Sequence, residues 1–471
     1  MNFKPSFYFL GLSCLPIALM SLLNIFYSFY FNYLKNLNSY LAVLVISIII
    51  SISLIKIGKK DKDKISIYGQ LFLIFLIYFF MSFLILIPYL FGIYNISFID
   101  SYFEAISGLT STGFTVINNI NILDDPLILW RSSSQWVGSF YFLIFLVLIF
   151  SNKQINFKMI DLSYIIEKKI NFSSNLIGVT YRIFFIYLSL TVLIFLLFLF
   201  SGIRLFDGMN LSLTIISSGG FLPVDSLENI IRSNFQSFLL CITFLIPILN
   251  FYLFYNIFLA RNNLKYHKED IYLIILIIIF SIIFYFFNDA KILEVFINIL
   301  SSISTSGISI GSVPENFGLY FIILTLIGGS VLSTTSGIKF LRIYILTKAF
   351  LLEIYKLVKP NVIMNTKIMF SEKKINSDNI KISFLIFILF FFSLFILSSI
   401  LLIDNLDFEN SFKLSILTLT NTAASSIYGI EDVQFSNLFT FSKISLIIFM
   451  IIAKVEMLAV FILFRKVFFK N

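Results

Sequence analysis

Charged residues make up only 13% of the 471 positions, and the chain holds two cysteines, one histidine and two tryptophans. A soluble domain is usually about a quarter charged, so an ordinary globular protein is excluded. Cys14 and Cys241 lie in separate apolar runs without metal-ligand spacing, which supports neither a zinc site nor a disulfide framework. His267, alone in the basic segment Arg261 to Lys268, leaves no histidine cluster and no Ser-His-Asp triad, which weighs against a hydrolase, and the acids head short helices or lie in loops, which weighs against another membrane enzyme. No glycine-rich phosphate loop follows a strand, and the basic loops are too short for a nucleotide-binding fold, so any regulatory domain belongs to another chain. No cofactor is expected.

What the chain has in excess is apolar: 59% of it is hydrophobic, with 60 phenylalanines. Runs such as Ile271 to Phe287 are apolar on nearly every face, which excludes the alternating pattern of a membrane β-barrel. At roughly 20 residues per crossing, the runs supply about ten helical crossings, with re-entrant material left over. The first run, about Phe7 to Phe31, carries no cleavage signal and reads as a retained helix paired with Tyr40 to Ile57. The net charge of +9 collects at Lys56 to Lys64, Lys153 to Lys169, Arg261 to Lys268, Lys348 to Lys381 and Arg465 to Lys470. Two crossings between successive basic loops place all five on the cytoplasmic side, with both termini inside and no role for nucleic acid. The loop Lys348 to Lys381 is a candidate docking surface for a partner.

The intervening outer segments repeat. Three carry an acid, a short semi-apolar stretch and, thirteen residues after the acid, a glycine: Asp100 to Gly113, Asp207 to Gly220 and Glu294 to Gly307. A fourth, Glu409 to Ala423, is one residue longer and has alanine at the glycine position. The repeat predicts four units of helix, short re-entrant helix, turn and helix. Their boundaries are 67–152, 176–260, 270–350 and 380–471, after a leading hairpin at 1–66.

An acid at the head of a short helix is favoured by the helix dipole and is placed to accept first-turn amides. The negative C-terminal ends then converge near the bilayer midplane and favour a cation. Irregular backbone at that depth must be buried in protein or line a watery path, and rings of backbone carbonyls build potassium filters. The ion-binding residues are therefore Ser111, Thr112 and Gly113; Ser218, Gly219 and Gly220; Thr305, Ser306 and Gly307; and Asn421, Thr422 and Ala423. A methyl at Ala423 disfavours the left-handed backbone such turns often use, at about 1–2 kcal/mol. A Gly-, Ser- and Thr-rich break at Gly328, Gly329 and Gly337, followed by Lys339, interrupts a run otherwise long enough to span and predicts a movable obstruction. Lys454, flanked by apolar residues well before the tail cluster, is a functional candidate by its depth.

The stretches Phe103 to Thr115 and Leu129 to Gly138 resemble the first pore loop and following helix of the bacterial Trk potassium uptake subunit, in the Trk/Ktr/HKT superfamily. Gly328 to Arg342 is similar to that family's glycine-rich break in the third repeat, and Ala453 to Met457 resembles its last helix. The resemblance implies an all-α polytopic membrane protein, with two leading transmembrane helices and four helix–pore-helix–helix repeats around a central ion pore. It further implies potassium uptake across the bacterial cytoplasmic membrane, a homodimer with one pore per subunit, and a cytoplasmic nucleotide-binding RCK-type regulatory subunit. Three departures stand out: Ala423 for glycine, Ile308 for phenylalanine and Lys454 for arginine. Ala423 keeps open a relaxed sodium/potassium pathway. A secondary carrier fits less well, because carriers usually pair inverted repeats and aim helix N-termini at an anionic substrate. Coupling to protons or sodium, as in a symporter, stays open because no intramembrane acid pair marks a relay.

Overall fold

The computed structural model describes residues 4–151, 176–260, 267–359 and 375–463, apart from positions 93, 95, 289, 290, 312, 376, 405, 431, 432, 458 and 462. The basic segments at 153–169 and 465–470, most of 261–268 and the middle of 348–381 lie outside the described residues. Among the described residues every regular element is helical. Helices α1 (Lys4–Tyr30) and α2 (Leu37–Gly58) pair along their length as the leading hairpin.

The first repeat comprises α3 (Ile67–Ile85), α4 (Phe98–Leu109) and α5 (Asp125–Ser151), and the second α6 (Leu176–Phe200), α7 (Leu205–Ile216) and α8 (Asn234–Ile248). In the third, α9 (Lys268–Phe287), α10 (Ile292–Ile303) and α11 (Gly318–Ile327) are followed by α12 (Phe340–Val358). The fourth holds α13 (Ser377–Leu401), α14 (Phe408–Leu419) and α15 (Thr440–Lys454). The short helices α4, α7, α10 and α14 each have twelve residues. That is a length of about 18 Å, which falls well short of a hydrocarbon core of roughly 30 Å.

Six described helices are long and apolar enough to cross a membrane, or seven if one bent pair counts as a span. The other paths in the ten-crossing reading are polar or broken second helices. Helix α5 buries the polar run Arg131 to Gln135. The bent pair is α8 and the segment from Phe251, which meet at 99° just after Pro247, a residue with no amide to continue the ladder. The third repeat's second helix stops at Gly328 and resumes at Phe340. Helix α15 ends at Lys454, two residues before Glu456 takes a left-handed backbone (φ 64°).

The second helix of each repeat packs on the short helix of the next: α5 on α7, α8 on α10, α11 on α14, and α15 back on α4. The repeats therefore form a closed circle in sequence order, with the second opposite the fourth. Outer loops stitch the circle. Asp225 of the second repeat accepts from the Ile120 amide of the first at 3.0 Å, Glu228 accepts from the Gly311 amide at 2.9 Å, and Lys443 pairs with Asp100 at 2.6 Å.

Candidate functional site

The C-terminal ends of the four short helices meet on one axis. Two residues beyond each helix stands a non-glycine residue in the left-handed region: Ser111 (φ 58°), Ser218 (54°), Thr305 (60°) and Asn421 (47°). Each amide returns to the carbonyl three residues back, and the next amide returns five back: Thr112 to Ser107, Gly219 to Thr214, Ser306 to Ser301 and Thr422 to Leu417, at 2.8–3.1 Å. This is the Schellman termination, here with hydroxyl and amide residues where glycine is usual. A non-glycine residue in this conformation costs roughly 1–2 kcal/mol, and such strain clusters at functional sites. Counted from the helices, all four copies are in register. The extra residue in the fourth arises because Glu409 is the second residue of its helix, whereas Asp100, Asp207 and Glu294 are third.

Two sequence expectations need correction. The acids lie in the first turns but do not cap them. Ser97 caps α4, and Asp100, Glu294 and Glu409 pair instead with Lys443, Lys291 and Lys413. The left-handed residue of the fourth turn is Asn421, two residues beyond α14, and Ala423 takes no positive φ, although Gly113 (φ 82°) and Gly307 (φ 69°) at the same position of the first and third turns do. Ala423 matters through its volume. A Cβ built at Gly113 would lie 2.9 Å from the Ala423 methyl and 2.8 Å from Gly220 Cα, and one built at Gly307 would fall on the Ala423 carbonyl oxygen. A Cβ at Gly220 would clash severely with the Ala423 methyl. One residue thus touches all three glycines, including the one on the opposite repeat.

Side chains behind the turns hold them in place, and they repeat as well. Ser107 and Thr214 occupy the same helix position, and each donates to the carbonyl seven residues on, at Phe114 (2.6 Å) and Phe221 (2.9 Å). Glu104 and Asn298 likewise share a position, and each accepts from the amide twelve residues on, at Val116 and Ile310, both at 3.0 Å. Glu104 is fully buried and paired with Arg131 at 3.0 Å, whose guanidinium lies 4.1 Å from the centre of the Phe221 ring. The Gln135 amide, turned so that its oxygen faces the second repeat, accepts from Gly220 and Phe221 at 3.2 Å each. Asn421 crosses to the first repeat and donates to the Thr112 hydroxyl at 3.0 Å.

Below this ring, the segment between α11 and α12 folds as a buried loop. Gly328 (φ 60°) and Gly337 (φ 82°) take backbones that suit glycine, and Lys339 (φ 79°) joins them. The Lys339 ammonium, 2% exposed, donates to Ser333 Oγ at 3.0 Å, to Thr335 Oγ1 at 3.2 Å and to the carbonyls of both residues. The loop rests on the break after α8: Ser330 donates to the Ile248 carbonyl at 3.0 Å, and Phe251 donates to the Leu332 carbonyl at 2.7 Å. Glu269 accepts from the Val331 amide at 3.2 Å. Lys454 reaches the loop at Ser336 Oγ (3.5 Å), and the Phe142 ring lies 4.9 Å from its ammonium. Glu456 pairs with Arg342 of α12 at 2.8 Å.

The structure therefore brings the four predicted turns together, and it places Gly328, Gly329, Gly337, Lys339 and Lys454 in one cluster beneath them. Sequence reading missed Glu104, Asn298, Gln135, Glu269 and the role of Arg131. Aligning the four copies on their turns, rather than on their acids, puts Glu104, Leu211, Asn298 and Leu414 in one column and marks the two polar members. His267 does not join the site. Its ring contacts Asn256 at 2.9 Å and lies 3.6 Å from Asp270, at the start of α9.

No family model matches the chain. It is 26% identical over 396 residues to an uncharacterized cation transporter of Methanocaldococcus jannaschii, spanning 83% of this chain and 81% of that one. Over 398 residues it is 24% identical to the Trk system potassium uptake protein TrkH of Escherichia coli, covering 80% of each. Its fold superposes on the crystal structure of the potassium transporter TrkH from Vibrio parahaemolyticus with a TM-score of 0.85, 19% identity and 98% of both chains covered. Helical throughout its regular described elements, the chain is a multi-pass membrane protein with the fold of that transporter, and its resemblance to Trk-type uptake subunits spans four-fifths of its length.

Proposed function

We propose that the protein carries potassium into the cell across the bacterial cytoplasmic membrane, with both termini inside and no enzymatic step. The observation that carries this reading is the meeting of four helix C-termini, in register, around Gly113, Gly220, Gly307 and Ala423. Helix C-termini present partial negative charge, and carbonyls of irregular backbone can replace a cation's hydration shell. The triplets Ser111 to Gly113, Ser218 to Gly220, Thr305 to Gly307 and Asn421 to Ala423 act as the selectivity filter, with potassium as the transported ligand. Gly328 to Lys339 acts as the gating loop, and Lys454 adds a cationic barrier beside it. The curated relatives are transporters, which favours this reading over an enzyme. A homodimer and an RCK-type regulatory subunit on the cytoplasmic face follow from the resemblance.

Ala423 favours a second reading with relaxed selectivity. Its methyl occupies the ring where the other repeats carry only hydrogen, so an ion at that level meets three glycine backbones and one alkyl group. Growth rescue and ion uptake in a bacterium stripped of its own potassium importers test both readings. Rescue at low external potassium with poor sodium entry supports a selective importer, and equal entry of both ions supports the relaxed pathway. Absence of cation flux, even with a co-expressed RCK-type subunit, overturns both.

A further inference from the structure

The buried loop alternates in what it touches. Ser333 and Thr335 turn toward the Lys339 ammonium. Their neighbours turn toward the filter: Thr334 Oγ1 lies 3.1 Å from Ser218 Oγ, and the Ser336 amide donates to Thr305 Oγ1 at 3.0 Å. Ser218 and Thr305 are the left-handed residues of the second and third turns, so the loop holds the two strained residues on its own side of the pore. The other two turns are held differently. Ser111 bonds Ser139 of α5 at 2.9 Å, and Asn421 donates to the Met450 carbonyl of α15 at 3.0 Å. A β-branched residue with positive φ, as at Thr305, persists only where its surroundings over-determine it. Here the Ser336 amide supplies that constraint.

We infer that the loop is a strut of the filter as well as an obstruction below it. Thr334 and Ser336 position the second and third turns, so a loop that leaves the pathway also releases half of the ring. The inference rests on reading the four turns as an ion site. Linkage then works in both directions: potassium that orders the ring steadies the loop, and an intact loop tightens the ring around potassium. Lys339 has an indirect part, because its ammonium, shared among four oxygens of Ser333 and Thr335, folds the loop into the shape that aims Thr334 and Ser336 upward.

The test uses the full chain in lipid nanodiscs, with potassium chloride compared against choline chloride. Hydrogen exchange reads the peptide spanning residues 328–337, and thermal unfolding reads ion binding. Two hydrogen bonds of ordinary net strength predict that saturating potassium slows exchange of this peptide about tenfold in the wild-type protein. Thr305→Val with Thr334→Val should cut that protection to less than about twofold, and Thr334→Ser, which keeps the hydroxyl, should retain it. Ser111→Ala weakens a turn not tied to the loop, so it should weaken potassium binding and leave the protection of residues 328–337 at saturation. Wild-type protection in the double valine variant overturns the strut. So does a wild-type protein that potassium stabilises against heat without slowing exchange of the loop, a result that stands even if the variants fail to fold. A wild-type protein whose unfolding ignores potassium overturns the underlying reading of the turns as an ion site.

Discussion

The contact between Gly220 and the Ala423 methyl makes a prediction about two positions at once. Ala423→Gly removes one buried methyl, worth about 0.8 kcal/mol of burial, and frees a backbone position at about 0.5–1 kcal/mol, so it should lower stability by roughly 1–2 kcal/mol. Gly220→Ala sets a Cβ on the methyl and 2.7 Å from the Ser306 carbonyl oxygen. Overpacking of this kind costs about 1–3 kcal/mol, and here it also fills the axis. In the double variant the clash between methyls disappears and only the Ser306 contact remains. The two changes should therefore couple favourably by at least about 1 kcal/mol, well outside the few tenths expected of independent sites. Uptake in an importer-deficient bacterium and thermal unfolding of the purified protein complete the cycle. Gly220→Ala alone should abolish uptake, Ala423→Gly alone should raise the preference for potassium over sodium, and the double variant should recover part of the uptake. Additive stabilities together with a double variant as inactive as Gly220→Ala would refute the placement of the methyl across the axis.

Glu104→Gln strips the counter-charge from Arg131, which is 1% exposed, so it should destabilise the protein by about 3–5 kcal/mol, and adding Arg131→Met should recover part of the loss. Thermal unfolding of the single and double variants checks this. Lys454→Ala removes the ammonium beside Ser336 and should raise basal cation flux several-fold in proteoliposomes, and flux equal to wild type would count against a barrier role. Gly138→Ala drives a Cβ into the Leu109 carbonyl oxygen at the end of α4, so α5 must move away, with a melting temperature lowered in line with about 1–3 kcal/mol of overpacking.

Much of this architecture was legible because two physical signals are local. Apolar runs mark crossings, and a short helix followed by a small-residue turn marks re-entry, so Ser111, Ser218 and Thr305 could be picked out from their neighbours alone. The fourth turn was legible only in part. Its acid slipped by one position while its helix kept twelve residues, and a count from the acid misplaces the defect. Contacts between distant segments were not legible. Glu104 meets Arg131 across 27 positions, and Ser218 meets Thr334 across 116. The break after Pro247 was also hidden, because an apolar stretch with one proline reads as a continuous helix until the loop is seen resting on it. The depth of Lys454 among apolar neighbours marks it as a candidate, but nothing local identifies Ser336 as its partner.

The closed circle of repeats, with α15 returned to α4, has a consequence for how such a molecule can change over generations. In a pore assembled from four identical subunits, every substitution arrives in four copies and must be tolerated at all of them together. Here a single codon alters one quadrant. The chain has used that freedom: among the described residues, one methyl at the axis, one lysine-pinned loop, and one fully buried glutamate paired with arginine behind the turns stand where strict symmetry would demand four of each or none.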